Sequence, residues 1–243
     1  MTRPHAARFI ELDLFRGFAI TGMIFFHVMW DLNYFGLVSL DNGLYGWGRM
    51  FVPVFLVLVG ICLTLASARK TTKQLLLRGA EIFGLGMIIT LTTLIFMPER
   101  PILFGALHCI GLSIILSVPL LRLRYYNITI ATAIILTGFF TWLPHVKNPN
   151  ALQLAVGIHQ HGVWNYTIDY FPLFPWLGVV LLGVALGNLL YKNGERRFPF
   201  PDISRYMPAR LFSWLGRHSL LIYLAHQPII AGVLHLYVLY PIL

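Results

Sequence analysis

The sequence predicts an all-α integral membrane protein of about seven transmembrane helices, its N-terminus cytoplasmic and its C-terminus extracytoplasmic. Three observations predict it. The 243 residues are 58% hydrophobic and 11% charged, with a mean hydropathy of +0.74, whereas a soluble domain carries about 25% charged residues. The apolar runs approach the ~20 residues a bilayer core requires of a helix and exceed what a barrel strand needs. Finally, nearly all the basic residues fall on alternate connections.

The spans are expected at residues 13–36, 46–67, 75–97, 102–121, 127–144, 172–191 and 213–240. Arg3 and Arg8 precede the first run, which is long and has no small-residue cleavage site after it. It is expected to stay as a span rather than leave as a signal peptide. The third span begins with Arg78 and Glu81, spaced for a helix pair near the inner surface. The fifth is the shortest. Gly183-x-x-x-Gly187 in the sixth, and Gly84 with Gly86 in the third, suit close helix packing better than ligand binding. No span repeats another, so residues 1–243 are read as one domain.

Two connections are long. Residues 145–171, on the outer side, contain His145, His159, His161, Trp164, Asp169 and Tyr170. Residues 192–212, on the inner side, are basic and proline-rich and run into the apolar stretch Met207–Leu215. That stretch either lies along the inner interface or begins the last span.

Orientation follows from the positive charges. A cytoplasmic N-terminus puts 15 of the 18 Lys and Arg inside and leaves only Arg49, Arg100 and Lys147 outside. This asymmetry accounts for most of the formal net charge of +9, so membrane lipids, not nucleic acid, are the expected partners of the basic residues. Cys62 and Cys109 sit within apolar runs and read as small core residues. His159 and His161 lack the further ligands a metal needs and read as solvated loop residues; no metal is expected.

The chemistry concentrates on the first span. Arg16 and His27 are eleven residues apart, and Asp31 follows one turn later. Eleven steps of ~100° return a side chain to within about 20° of its start, so all three share a face, with Arg16 and His27 ~16 Å apart along the axis. Ionisable groups inside a membrane helix are expensive and usually line a polar cavity. A guanidinium at the inner mouth suits a phosphate, which it binds bidentately; alternatively it snorkels and pairs with Asp13. A carboxylate one turn from an imidazole can fix its tautomer and support it as a general base.

Two further histidines lie at similar depth. His27 and His226 are each ~20 Å up from the inner ends of their spans, and His108 is ~9 Å below the outer end of its own. The three could converge on one cavity, or each could simply bond a neighbouring helix. Arg49 could snorkel outward or close the cavity's outer mouth. Asn33, Tyr223 and Gln227 suit either substrate contact or interhelical bonding.

These residues also carry a resemblance. Arg16-x10-His27 resembles the Arg-x10-His motif of acyltransferase family 3 membrane proteins, and Gly216-Arg-His-Ser-Leu-Leu-Ile-Tyr-Leu-Ala-His-Gln-Pro228 is similar to that group's final-helix signature. Nearly the whole chain looks like small prokaryotic members of the heparan-alpha-glucosaminide N-acetyltransferase catalytic-domain family. Five segments in order carry this: Leu-Asp13-Leu-Phe-Arg-Gly, His27-Val-Met-Trp-Asp31-Leu-Asn33-Tyr-Phe-Gly, Val-Pro53-Val-Phe-Leu-Val-Leu-Val-Gly60, Phe-Gly105-Ala-Leu-His108-Cys-Ile-Gly111 and Phe174-Pro-Trp-Leu-Gly178.

The resemblance implies a multi-pass cell-membrane enzyme that takes an acyl group, acetyl above all, from cytoplasmic acyl-CoA. Its acceptor would be a hydroxyl or amine of a carbohydrate or glycolipid on the other side. One departure stands out: the lysosomal enzyme of that family carries Asn at the position of His27 and its proposed catalytic His in the following loop. Residues 36–49 here contain no His, so that enzyme's sugar specificity does not carry over.

The expected mechanism places CoA phosphates on Arg16 and the thioester beside His27, the base, oriented by Asp31. His108, or Tyr223 with Gln227, would face the developing oxyanion. Trp30, Asn33, Tyr223, His226 and Gln227 would contact substrate. The fifth and sixth spans offer a surface for a homodimer. The competing readings are a proton-coupled transporter using a His/Asp relay and a non-catalytic scaffold.

Overall fold

The computed structural model describes residues 9–39, 50–141, 146–192 and 195–239, without the side chains of residues 139 and 141. Arg3, Arg8, Arg49 and His145 lie outside the described residues. The helices are α1 (Ile10–Tyr34), α2 (Phe51–Ser67), α3 (Thr72–Phe96), α4 (Ala106–Leu120), α5 (Asn127–Thr141), α6 (Ala151–Val156), α7 (Leu173–Leu190), α8 (Met207–Arg217) and α9 (Ser219–Leu239). A 3-10 stretch, Leu121–Tyr126, joins α4 to α5. The one sheet among the described residues is the antiparallel pair β1 (Tyr191–Lys192) and β2 (Glu195–Arg196).

Five helical runs are long and apolar enough to cross a membrane: Ile10–Tyr34, Thr72–Phe96, Ala106–Gly138, Leu173–Leu190 and Ser219–Leu239. Phe51–Ser67 is equally apolar but has 17 residues. The chain is therefore a mostly helical, multi-pass membrane protein. The 106–138 run is broken at Arg124, whose φ of 49° no α-helix contains. Beyond the break the Asn127 amide donates to the carbonyls of Leu120 and Arg124, both at 3.0 Å, and so ties the start of α5 back to the end of α4.

Packing divides the chain into two compact units, residues 1–58 with 199–243 and residues 59–198. In the first, α8 crosses the N-terminal half of α1 with backbones in contact. A Cβ on Gly17 would overlap the Phe212 carbonyl, and one on Gly216 would overlap the Asp13 carbonyl. Pairing 13 with 216 and 17 with 212 makes the two helices antiparallel. Ala209, Ser213 and Gly216 form the buried face of α8, while Met207, Leu211 and Trp214 are exposed. The Met207–Leu215 stretch is thus a helix of its own, and the last long helix starts at Ser219 rather than at residue 213. Pro208 favours a fresh helix start here, and at His218 the backbone leaves helical geometry (φ −102°, ψ 13°).

In the second unit glycines again set the approaches. Gly79 faces the Gly111 carbonyl across α3 and α4, and Gly60 on α2 faces the backbone of Val180 and Val184 on α7. Gly187 lies against Thr64, whose hydroxyl donates to the Val184 carbonyl at 3.1 Å. Gly178 meets α5 at Ala131 and Ile135. The Gly183 and Gly187 positions on α7 therefore serve close helix packing, as their spacing predicted. Gly86 meets the His108 ring, whereas a Cβ on Gly84 would meet open space among the described residues. Arg78 and Glu81 pair at 3.2 Å on the exposed side of α3, as their spacing predicted.

Candidate functional site

Most of the expected site residues stand on α1 and α9, within the first unit. Near the start of α1, Asp13 is buried and Arg16 half-buried, and the two form an ion pair at 3.4 Å. This is the local pairing that an i, i+3 spacing allows. The backbone of Gly216 lies against Asp13 from α8, so Asp13 and Arg16 stand where α1 and α8 cross.

Further along, three pairs set the relation of α1 to α9. The His27 and His226 rings lie 4.9 Å apart between centroids. Asp31 receives Gln227 Nε2 at 3.0 Å on both carboxylate oxygens. Phe35 meets His235 at 6.4 Å. The numbers rise together along both, so α1 and α9 run in the same direction.

The expected support of His27 by Asp31 is not what the structure holds. Asp31 is 2% exposed, and its carboxylate is taken up by Gln227; among the described residues His27 has only ring contacts, with His226 and with Phe26 at 5.5 Å. Sharing a helix face puts two side chains within reach, but a carboxylate bonds the best donor available. Here α9 supplies an amide N–H to Asp31 and a ring to His27.

His226 is 9% exposed. Its Nδ1 lies 2.6 Å from the Tyr223 carbonyl oxygen, while its Nε2 is buried with no hydrogen-bond partner among the described residues. A carbonyl only accepts, so Nδ1 carries the proton and Nε2 keeps its lone pair. Gln227 Oε1 is likewise buried without a partner among the described residues. Tyr223 borders the same ring, centroids 5.5 Å apart. Trp30 stacks on Tyr34 at 5.4 Å, and Asn33, near the end of α1, is half-buried.

His108 belongs to the second unit and has its own network. The Gly105 N–H donates to Nδ1 at 3.2 Å, which leaves Nε2–H to donate to the Thr90 hydroxyl at 3.3 Å. Thr90 in turn donates to the Ile102 carbonyl at 2.6 Å. Both ring nitrogens are occupied, and the imidazole closes the first turn of α4 in the manner of a capping box.

Beside it the Asp169 carboxylate accepts the Ala106 N–H at 3.0 Å and fills the space where a Cβ on Gly105 would sit. Burial pushes this acid up to about 6, against the lowering effect of the Ala106 bond. In the sequence Asp169 is one of several polar residues of the 145–171 connection. Its role as a cap from 63 residues away has no local signal.

In that loop His159 is buried and meets Tyr170 edge-on at 5.7 Å, so only His161 of the pair is the solvated residue expected. No group of three or more His, Cys, Asp or Glu able to hold a metal occurs among the described residues.

Residues 8–228 match the family model described as heparan-alpha-glucosaminide N-acetyltransferase, catalytic. The match takes in every residue of the candidate site, from Arg16 to Gln227. No curated protein and no solved structure matches the chain. With most of its length inside that family model, the chain belongs to the heparan-alpha-glucosaminide N-acetyltransferase catalytic-domain family.

Proposed function

We propose that this protein transfers an acetyl group from cytoplasmic acetyl-CoA to a hydroxyl or amine of a sugar-type acceptor on the far side of the cell membrane. The observation that carries this reading is the family match over residues 8–228 of a chain with five membrane-length helices. The family indicates an acetyltransferase; donor side, acceptor class and residue roles are our inference.

In the proposed reaction the acceptor O–H or N–H attacks the thioester carbonyl. The C–O or C–N bond forms and the C–S bond breaks. The acceptor proton passes to an imidazole of the His27–His226 pair and from there to the CoA thiolate, which leaves as the thiol. Arg16 binds the CoA phosphates from the inner end of α1. The pantetheine arm then rises ~16 Å along α1 to the imidazoles. Asp31 holds Gln227 in one orientation, and with Trp30, Asn33 and Tyr223 that amide positions the acceptor. We infer a structural role for His108, whose nitrogens are both committed to Gly105 and Thr90, and route no step through it.

Binding of radiolabelled acetyl-CoA to the purified protein tests the reading. Saturable binding, weakened at least tenfold by Arg16→Ala, is expected. Absence of binding together with pH-driven flux in proteoliposomes would overturn it in favour of a proton-coupled transporter.

A further inference from the structure

We propose that His226, rather than His27, is the general base of the transfer, with its Nε2 receiving the acceptor proton; this assignment rests on the acyl-transfer reading above.

A histidine acts as base only through a nitrogen that keeps its lone pair, and a fixed bond at the other nitrogen decides which one that is. In His226 the Tyr223 carbonyl accepts the Nδ1 proton at 2.6 Å, so Nε2 is the free lone pair in the neutral ring. Donor and acceptor sit three residues apart on the same helix, so the orientation needs no help from a mobile element. Once Nε2 takes a proton the Nδ1–H bond becomes charge-assisted and stronger, which stabilises the imidazolium where it forms.

Burial makes the same point from the energetic side. His226 is 9% exposed and Nε2 has no partner among the described residues. Leaving a buried acceptor unsatisfied costs its full desolvation penalty, and native proteins leave few such groups without a reason. A histidine kept only for packing has no use for that lone pair. One that meets a substrate O–H or N–H does.

His27 lacks these features. It is half-buried and has ring contacts only, so nothing on the described chain selects its tautomer. Asp31, the carboxylate that could have selected it, is engaged by Gln227. With centroids 4.9 Å apart, two charged imidazoles would repel strongly away from water, so the pair takes up one proton. His27 packs on the base and holds its plane; His226 receives the proton, then returns it to the departing thiolate.

The test compares His226→Asn with His27→Asn in the purified full-length protein. Asn at 226 keeps an N–H where Nδ1 stood and removes the base. Two readouts are taken: binding of radiolabelled acetyl-CoA, and release of CoA thiol with simple sugar hydroxyl and amine acceptors, methyl α-glucoside and methyl α-glucosaminide, and with water alone. The expected result is a loss of release of about 10²–10⁴-fold in His226→Asn, with acetyl-CoA binding held within about twofold, and a loss of no more than about tenfold in His27→Asn. If His226→Asn does not elute and melt as the wild type does, His226→Gln takes its place. A loss at His27 equal to or larger than that at His226 overturns the assignment while leaving acyl transfer standing. A wild-type protein that neither binds acetyl-CoA nor releases CoA overturns the acyl-transfer reading, and this assignment with it.

Discussion

Asp31 on α1 and Gln227 on α9 form a carboxylate–amide pair in which one amide nitrogen lies 3.0 Å from each carboxylate oxygen. The pair makes the amide orientation unambiguous, because a carboxylate only accepts. It also explains how an almost fully buried acid, 2% exposed, is tolerated on a membrane helix. Gln227→Leu removes the donor and strands the acid. The expected cost is about 1–3 kcal/mol, or a little less where the unfolded helices find other partners in the bilayer. Asp31→Asn keeps an accepting oxygen and is expected to be milder. Unfolding of the two single variants and the double variant in detergent measures the coupling; additive effects would show that the pair contributes nothing beyond its parts.

The crossing of α1 and α8 depends on the absence of side chains at Gly17 and Gly216. A methyl group at either position meets a backbone carbonyl that cannot move without shifting its helix. Gly17→Ala and Gly216→Ala are each expected to destabilise by about 1–3 kcal/mol through overpacking. Gly84 and Gly232 have open space where a methyl group would stand, so alanine there is expected to be neutral or to gain up to ~1 kcal/mol from helix propensity. Thermal unfolding of the four variants distinguishes the two classes.

Much of the helical layout is legible in the sequence because membrane spans are specified by local composition. The expected spans 75–97 and 172–191 lie within a few residues of Thr72–Phe96 and Leu173–Leu190. The Arg78–Glu81 and Asp13–Arg16 pairs are also readable, since three residues on a helix make neighbours whatever the rest of the chain does. What cannot be read depends on another helix. The i, i+4 spacing of His27 and Asp31 puts both on one face, but which donor Asp31 takes depends on α9 arriving with Gln227 beside it. Met207–Arg217 is ambiguous for the same reason: its packing against Gly17, across the chain, holds it apart from the span that follows. Asp169 gives no sign of its role because its partner, the N–H of Ala106, lies across the chain.

His108 gives a prediction that separates capping from chemistry. Its Nδ1 bond to Gly105 and Nε2 bond to Thr90 both hold the start of α4 in place. His108→Ala leaves a buried N–H at Gly105 and a void beside Gly86, and an expected loss of about 2–3 kcal/mol follows. Thr90→Val, which removes the hydroxyl but keeps the volume, is expected to lose about half as much. Under conditions where both variants remain folded, CoA release is expected to stay within about threefold of wild type. A loss of about 10²-fold in a fully folded His108→Ala protein would instead return His108 to the reacting centre.

Asp169 makes stability depend on pH in a direction opposite to that of an ordinary salt-bridged acid. Burial raises it to about 6 from an ordinary 3.8, so the folded protein binds this proton more tightly than the unfolded chain does. Its ionised form therefore costs stability above pH 6, and the cost is relieved as pH falls from 7 towards 4. The gap in pKa bounds the effect at ~3 kcal/mol. Asp169→Asn retains an oxygen for the Ala106 N–H while removing the charge. That variant is expected to melt at or above the wild-type temperature at pH 7, and to lack the rise in stability that the wild type gains between pH 7 and pH 5. Asp169→Leu, by contrast, loses the cap itself and should fall about 0.5–2 kcal/mol below Asp169→Asn at either pH. A wild-type melting temperature that drops steadily from pH 7 to pH 5, with Asp169→Asn dropping in parallel, would show that this carboxylate is not the buried acid described.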